Sequence, residues 1–148
     1  MLVAALFWKE KRRWYGPALP LVLLLPQVSM YYRGWGRAGD AGFIAEEDGR
    51  PVGAVWYRLF TEDHHGDGYV DPDTPELAIA VAHGLRGHGI GHRLMEAVHA
   101  HARSEGLGRI SLSVDDDNPA KRLYSSLGYE DHEPEDGKGR MVLDLSVA

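Results

Sequence analysis

The sequence predicts an α/β chain in which one mixed, mostly antiparallel β-sheet is flanked by helices. Three observations predict it. The runs Phe43-Ile44-Ala45-Glu46 and Pro51 to Phe60 flank Glu47-Asp48-Gly49-Arg50, whose Asp-Gly pair signals a tight hairpin between antiparallel strands. The strand-like segment Glu76 to Val81 passes through a glycine-rich turn into a helix from about Gly89 to Gly106, with Ile90, Leu94, Val98 and Ala102 on one face. The apolar run Arg109 to Val114 is followed by a second helix, Asn118 to Leu127, so the strand-to-helix order recurs.

The remaining elements fall into place around these. Leu2, Val3, Leu6, Phe7 and Trp14 predict a helix over Met1 to about Trp14, and Pro17, Pro20 and Pro26 break any helix beyond it. A short helix is expected over about Gln27 to Trp35, after which Gly34, Gly36, Gly39 and Gly42 mark a loop. Thr61 to Thr74 reads as a long loop near the substrate site. Tyr129 to Glu133 and Arg140 to Ser146 form a last hairpin around Gly137 to Gly139.

A chain of 148 residues can build one domain with a real core, whereas two would each be marginal. Its 44% hydrophobic and 26% charged content is that of a soluble globular protein. Cysteine is absent, which excludes disulfides, thiolate metal sites and a cysteine acyl-enzyme. The formal net charge of -6 argues against nucleic-acid binding and is compatible with a cationic partner such as an amine. Leu19 to Leu25 is too short to span a bilayer, and no basic region leads the apolar start as in a signal peptide, so a cytoplasmic location without a membrane partner is expected.

The turn Arg86-Gly87-His88-Gly89-Ile90-Gly91 reads as a diphosphate cradle. Glycines at 87, 89 and 91 let the backbone approach an anion and adopt positive φ cheaply, and the free N–H groups of the next helical turn face the phosphates. His92 and Arg93 add positive charge. The spacing is not that of a P-loop, since no Gly-Lys-Ser/Thr follows, and it departs from the dinucleotide fingerprint.

A second motif, Asn118-Pro119-Ala120-Lys121-Arg122-Leu123-Tyr124-Ser125-Ser126-Leu127-Gly128-Tyr129, follows the pattern Asn-x-x-Ala-x-x-Leu-Tyr-x-x-x-Gly-Phe/Tyr with one residue fewer between Asn118 and Ala120. With Arg/Gln-x-x-Gly-x-Gly/Ala at Arg86 to Gly91, the chain resembles the GNAT superfamily of N-acetyltransferases, more loosely from about Phe43 to the C-terminus. The resemblance implies the GNAT fold, a mixed sheet splayed between the family's fourth and fifth strands, here Glu76 to Val81 and Arg109 to Val114, with acetyl-CoA as co-substrate. It implies that Ile79, Ala80 and Val81 pair with the pantetheine arm, an N–H near Val81 polarising the thioester carbonyl. Arg86, Gly87, His88, Gly89, Ile90, Gly91 and His92 would hold the diphosphate. Asn118 would touch the cofactor arm, although a helix cap alone explains an Asn-Pro pair.

Tyr124 is the expected general acid, because a phenol, with an ordinary pKa of about 10, is well matched to a departing thiolate; packing of the helix on the sheet is the competing role. Glu76 is the expected base that deprotonates the amine, with Asp115 or a bound water as alternatives. Asp115, Asp116 and Asp117 read as a solvated loop before the helix start. Trp35 and Tyr69, in loops, and Asp115 are expected to line the acceptor site, whereas Trp56 and Tyr57 sit in a strand and are expected in the core. His88 and His92 stand at i, i+4 but lack the rest of a ligand pattern, so no metal is expected.

These expectations describe direct attack of a primary amine on acetyl-CoA in a ternary complex, the acceptor being a small-molecule amine or a protein N-terminus or lysine. The alternative is a catalytically silent acyl-CoA-binding or regulatory module, against which the presence of Tyr124 weighs. Family members begin with a strand before their first helix, whereas Met1 here lies in helical sequence. Either the true N-terminus lies upstream, or Leu19 to Leu25 substitutes for that strand, or the edge of the sheet is left open, and an open edge predicts a homodimer.

Overall fold

The structure, a computed structural model, describes residues 29–132 and 139–147. The expected helix at Met1 to Trp14, the proline-broken stretch with Leu19 to Leu25, the question of a first strand, and most of the Gly137 turn lie outside the described residues. Within them the chain forms β1 (Ala41–Glu47), β2 (Arg50–Arg58), β3 (Glu76–Val81), α1 (Ile90–Ser104), β4 (Arg109–Ser113), α2 (Ala120–Ser126), β5 (Glu130–Asp131) and β6 (Arg140–Asp144). The strands form one sheet in the order β1-β2-β3-β4-β6-β5. All neighbours are antiparallel except β3 and β4.

The first hairpin follows its sequence signal. Asp48 and Gly49 have φ of 51° and 73°, the paired left-handed conformation that a two-residue turn of matching twist requires. Along β2 the side chains alternate, so that Val55 and Tyr57 face α1 while Trp56 and Arg58 face the other side. α1 lays Leu94, Met95, Val98 and Ala102 on that first face, against Leu77, Ile110, Leu112, Met141 and Leu143. Met95 and Val98 are fully buried, and burial of each such side chain contributes roughly 1.5 to 3 kcal/mol.

Both helices end on the same device. Gly106, at φ 76°, follows α1, and the N–H groups of Gly106 and Leu107 reach back to the carbonyls of Arg103 and Ala102. Gly128, at φ 94°, follows α2, and the N–H groups of Gly128 and Tyr129 reach back to Ser125 and Tyr124. These are Schellman caps, in which glycine accepts the left-handed turn and the residue after it packs on the last helical turn.

The splay is present. β3 and β4 share a single register pair, Glu76 with Ser111, next to a 3.0 Å bond from the Ser111 N–H to the Pro75 carbonyl. Beyond Glu76 the two strands part, and β3 retains ladder pairing only with β2. The final hairpin is shorter than expected. β5 holds only Glu130 and Asp131, because pairing with β6 is confined to Val142 and Met141.

Candidate functional site

The glycine-rich turn stands at the open end of the gap. Gly87 and Gly89 have φ of 80° and 81°, and nothing lies within 4 Å of where a Cβ would stand on either, so backbone conformation and not crowding calls for glycine. The helix starts at Ile90 with Gly89 as its N-cap, no side chain caps it, and its first turn carries no acid. The amides there are therefore unclaimed by a capping side chain and, with the helix dipole behind them, suit an anion. Arg86, His88, His92 and Arg93 are exposed around this turn, and His92 lies 3.2 Å from Glu96 one turn on.

Two expectations are corrected here. Gly91 does not adopt a positive φ. It lies inside the first turn of α1, where a Cβ would come 3.4 Å from Leu123 and 3.8 Å from Val81, so its smallness lets α2 and β3 approach α1. His88 precedes the helix, so it shares no helical face with His92. Among the described residues no three His, Asp or Glu side chains are grouped to hold a metal ion.

Glu76 lies where β3 and β4 meet, and it is 2% exposed, not a solvated strand-end carboxylate. Its Oε1 accepts the Tyr31 hydroxyl at 2.7 Å and the Gly68 N–H at 3.1 Å. Its Oε2 is buried with no hydrogen-bond partner among the described residues. Burial pushes this carboxyl above the ordinary carboxylate range, against the opposing pull of the Tyr31 and Gly68 bonds. The loop from Thr61 to Thr74 covers it. A Cβ at Gly66 would collide with the Tyr31 hydroxyl, and one at Gly68 would lie 2.9 Å from the Glu76 side chain. Arg109 pairs with Asp71, and the Arg140 guanidinium donates to the Asp67 carbonyl at 2.9 Å, tying the loop to β4 and β6.

Tyr31 escaped the sequence reading, because nothing local links it to a carboxylate 45 residues away. Arg58 did too. Buried beside Glu76 in the β2–β3 register, it donates to Asp40 at 2.6 and 2.8 Å and to the carbonyls of Met30 and Arg33. It thereby pins the turn carrying Tyr31 to the sheet.

Tyr124, on α2, is 7% exposed, and burial pushes its phenol up to about 12. Its ring meets that of Tyr129 at 5.9 Å. Asn118 Oδ1 accepts the Ala120 N–H at 2.9 Å while Pro119 takes helical angles, so the cap is real. Ile79 and Val81 are partly buried and Ala80 is buried on the strand that borders the gap. Trp35 is half exposed, lies 5.4 Å above the Arg58 guanidinium, and walls a cavity of about 310 Å³ with Tyr31, Tyr32, Ile44 and Trp56. Trp56 thus reaches this cavity, contrary to its expected core position, whereas Tyr57 is buried in the core as expected. Tyr69 stacks on His65 in the covering loop, and Asp115 stands at the far end of β4, where its carbonyl accepts the Asn118 N–H. The structure brings Tyr69 to the Glu76 side through its loop, but it does not bring Trp35, Tyr69 and Asp115 into one pocket.

The site is thus an uncapped helix start behind a glycine-rich turn, at the mouth of a mixed sheet parted between two parallel strands. Residues 5–129 match the acetyltransferase (GNAT) family, and the chain belongs to that family. It is 39% identical over 88 residues to a mycothiol acetyltransferase of Thermobispora bispora, a match that covers 59% of this chain and 29% of that protein. The chain therefore spans under a third of the length of the curated relatives it matches. Its fold is similar to an N-acetyltransferase of Staphylococcus aureus Mu50, at a TM-score of 0.64 and 20% identity, covering 80% of this chain and 75% of that one. It is also similar to an acetyltransferase of Salmonella typhimurium solved with its cofactor acetyl-CoA, at a TM-score of 0.61 and 23% identity, covering 72% and 65%. No helix among the described residues is long and apolar enough to cross a membrane.

Proposed function

We propose that this chain moves an acetyl group from acetyl-CoA to a primary amine by direct attack in a ternary complex, in the cytoplasm. The observation that carries the proposal is the gap itself. β3 loses its β4 partner beyond Glu76, leaving an extended edge that runs toward the cradle of Arg86, Gly87, His88, Gly89, Ile90, Gly91 and His92. A pantetheine arm would take up the vacant pairing on Ile79, Ala80 and Val81, with the diphosphate on the α1 amides and Asn118 beside the arm. A backbone N–H near Val81 would stabilise the oxyanion as nitrogen attacks the thioester carbon.

In that step a C–N bond forms, the C–S bond breaks, the amine loses a proton to Glu76 and the thiolate takes one from Tyr124. Burial favours the proton on Glu76 more than in an exposed carboxylate, which makes its ionised form a stronger base. Burial also raises the Tyr124 phenol, and a thiolate released beside it away from water would hold its proton more tightly for the same reason, so the match between donor and acceptor survives. Of the three residues expected at the acceptor site, Tyr69, on the loop that covers Glu76, is assigned to the acceptor amine, and Trp35 and Asp115, which share no pocket with it, are not. The matched relatives are named for mycothiol, which favours a small-molecule acceptor over a protein N-terminus or lysine. Self-association through β1, an edge strand among the described residues, belongs to the same reading and is tested by sedimentation.

The test is a calorimetric titration with acetyl-CoA, followed by CoA release with glucosamine, tyramine, spermidine, lysine and an alanine-led peptide. Micromolar binding with release by one of these amines supports the transferase. Binding without release by any amine supports the second reading, a silent acyl-CoA-binding module, and absence of binding rejects both. Tyr124→Phe should slow release about 100-fold with the KM for acetyl-CoA little changed.

A further inference from the structure

We propose that His99 and Tyr129 form a positioning device for the Tyr124 hydroxyl, linking the helix that cradles the cofactor to the helix that carries the acid. This rests on the acid assignment of Tyr124 made above. His99 lies on the buried face of α1, 4% exposed, beside Met95, Val98 and Ala102 on the same helix. Its Nε2 and the Tyr129 hydroxyl are 2.8 Å apart, a hydrogen bond between residues 30 apart in the chain. Tyr129 is itself 3% exposed, and its ring meets the His99 ring at 5.6 Å and the Tyr124 ring at 5.9 Å.

The backbone makes the geometry specific. Tyr129 is the residue after the cap glycine of α2, and its N–H donates to the Tyr124 carbonyl at 3.1 Å. The Schellman turn therefore sets the two tyrosines side by side, and the hydrogen bond to His99 fixes the far end of the Tyr129 ring. A phenylalanine at 129 would pack as well against Tyr124. It would not be held in register with α1, and it would leave the buried imidazole without its partner. The Tyr129 ring, tilted 57° to that of Tyr124, is its wall, so freeing Tyr129 to rock would let the Tyr124 hydroxyl wander from the position that proton transfer needs. Small displacements of that kind are expensive for proton transfer and cheap for binding.

The experiment compares wild type, Tyr129→Phe, Tyr124→Phe and the double variant in single-turnover acetyl transfer. It uses acetyl-CoA and whichever amine of the panel above releases CoA fastest. Tyr129→Phe should lower the transfer rate about tenfold while the calorimetric affinity for acetyl-CoA changes less than about twofold. Added to Tyr124→Phe it should have no further effect, because a residue that acts only through Tyr124 has nothing left to position. His99→Gln, which can still reach the Tyr129 hydroxyl, should retain most of the rate that His99→Leu loses. Should Tyr129→Phe fail to fold, the two His99 variants carry the test. Tyr129→Phe at the wild-type rate with Tyr124→Phe slow overturns the positioning role alone. A double variant slower than Tyr124→Phe by the full Tyr129→Phe factor shows a general structural fault and overturns it too. Tyr124→Phe at full rate overturns both this role and the acid assignment.

Discussion

Glu76 carries the conflict between stability and chemistry that a buried base implies. Its carboxyl is sealed by Tyr31, Gly66 and Gly68, and one oxygen lacks a partner among the described residues, so the charged form is poorly supported. A carboxyl whose folded pKa is raised stabilises the fold below its unfolded value and withdraws that stability as pH rises through the folded value. Glu76→Gln keeps an oxygen for Tyr31 and Gly68 and does not titrate. Its melting temperature relative to wild type should therefore increase from pH 4.5 toward pH 8, and a constant difference across that range would sink the argument. The same variant should transfer acetyl about 100-fold more slowly at pH 7, a deficit that shrinks at high pH as the amine deprotonates by itself. The sequence offered Glu76 from its place at a strand head. It could not offer Tyr31, whose turn reaches Glu76 only because Arg58 and Asp40 bind it to the sheet.

The elements were legible wherever the signal is local, and their boundaries shift where a cap decides them. α1 begins at Ile90 and not at Gly89, because Gly89 takes the left-handed cap at φ 81°. The motif's three glycines looked alike in sequence and do two different things. Gly87 and Gly89 supply positive φ, which costs an L-residue about 1 to 2 kcal/mol, whereas Gly91 is helical and only makes room. Gly89→Ala should weaken acetyl-CoA binding about tenfold or more in calorimetry, since the amides can no longer converge without strain. Gly91→Ala meets Leu123 at ordinary contact distance and gains helix propensity, so it should bind acetyl-CoA within about twofold of the parent. Equal losses at both positions would mean that the cradle depends on bare backbone approach and not on conformation.

At the scale of the molecule, the order of strands was not available from periodicity, because β6 enters between β4 and β5 through pairs of residues far apart in the chain. The splay was available only through the two motifs and the family they resemble. What binds the halves of the sheet is the core under α1, and His99, on the buried face of that helix, is one of the groups through which the fold responds to acid. Burial, and then the charge of Arg103, push the His99 imidazole from 6.5 down to about 4. The unfolded chain therefore binds a proton at His99 between about pH 6.5 and pH 4 that the folded chain refuses. Stability from this residue is complete above pH 6.5 and is lost as pH falls through that window. Glu76 acts in the opposite sense, so a bare melting curve mixes the two. The difference between wild type and His99→Gln isolates the histidine. The wild type should lose stability relative to the variant from pH 6.5 to pH 4 in urea unfolding, and the two should run parallel above pH 7. Parallel curves throughout would mean that the imidazole is protonated in the fold, and that its bond to Tyr129 is made by a cation instead of a neutral ring.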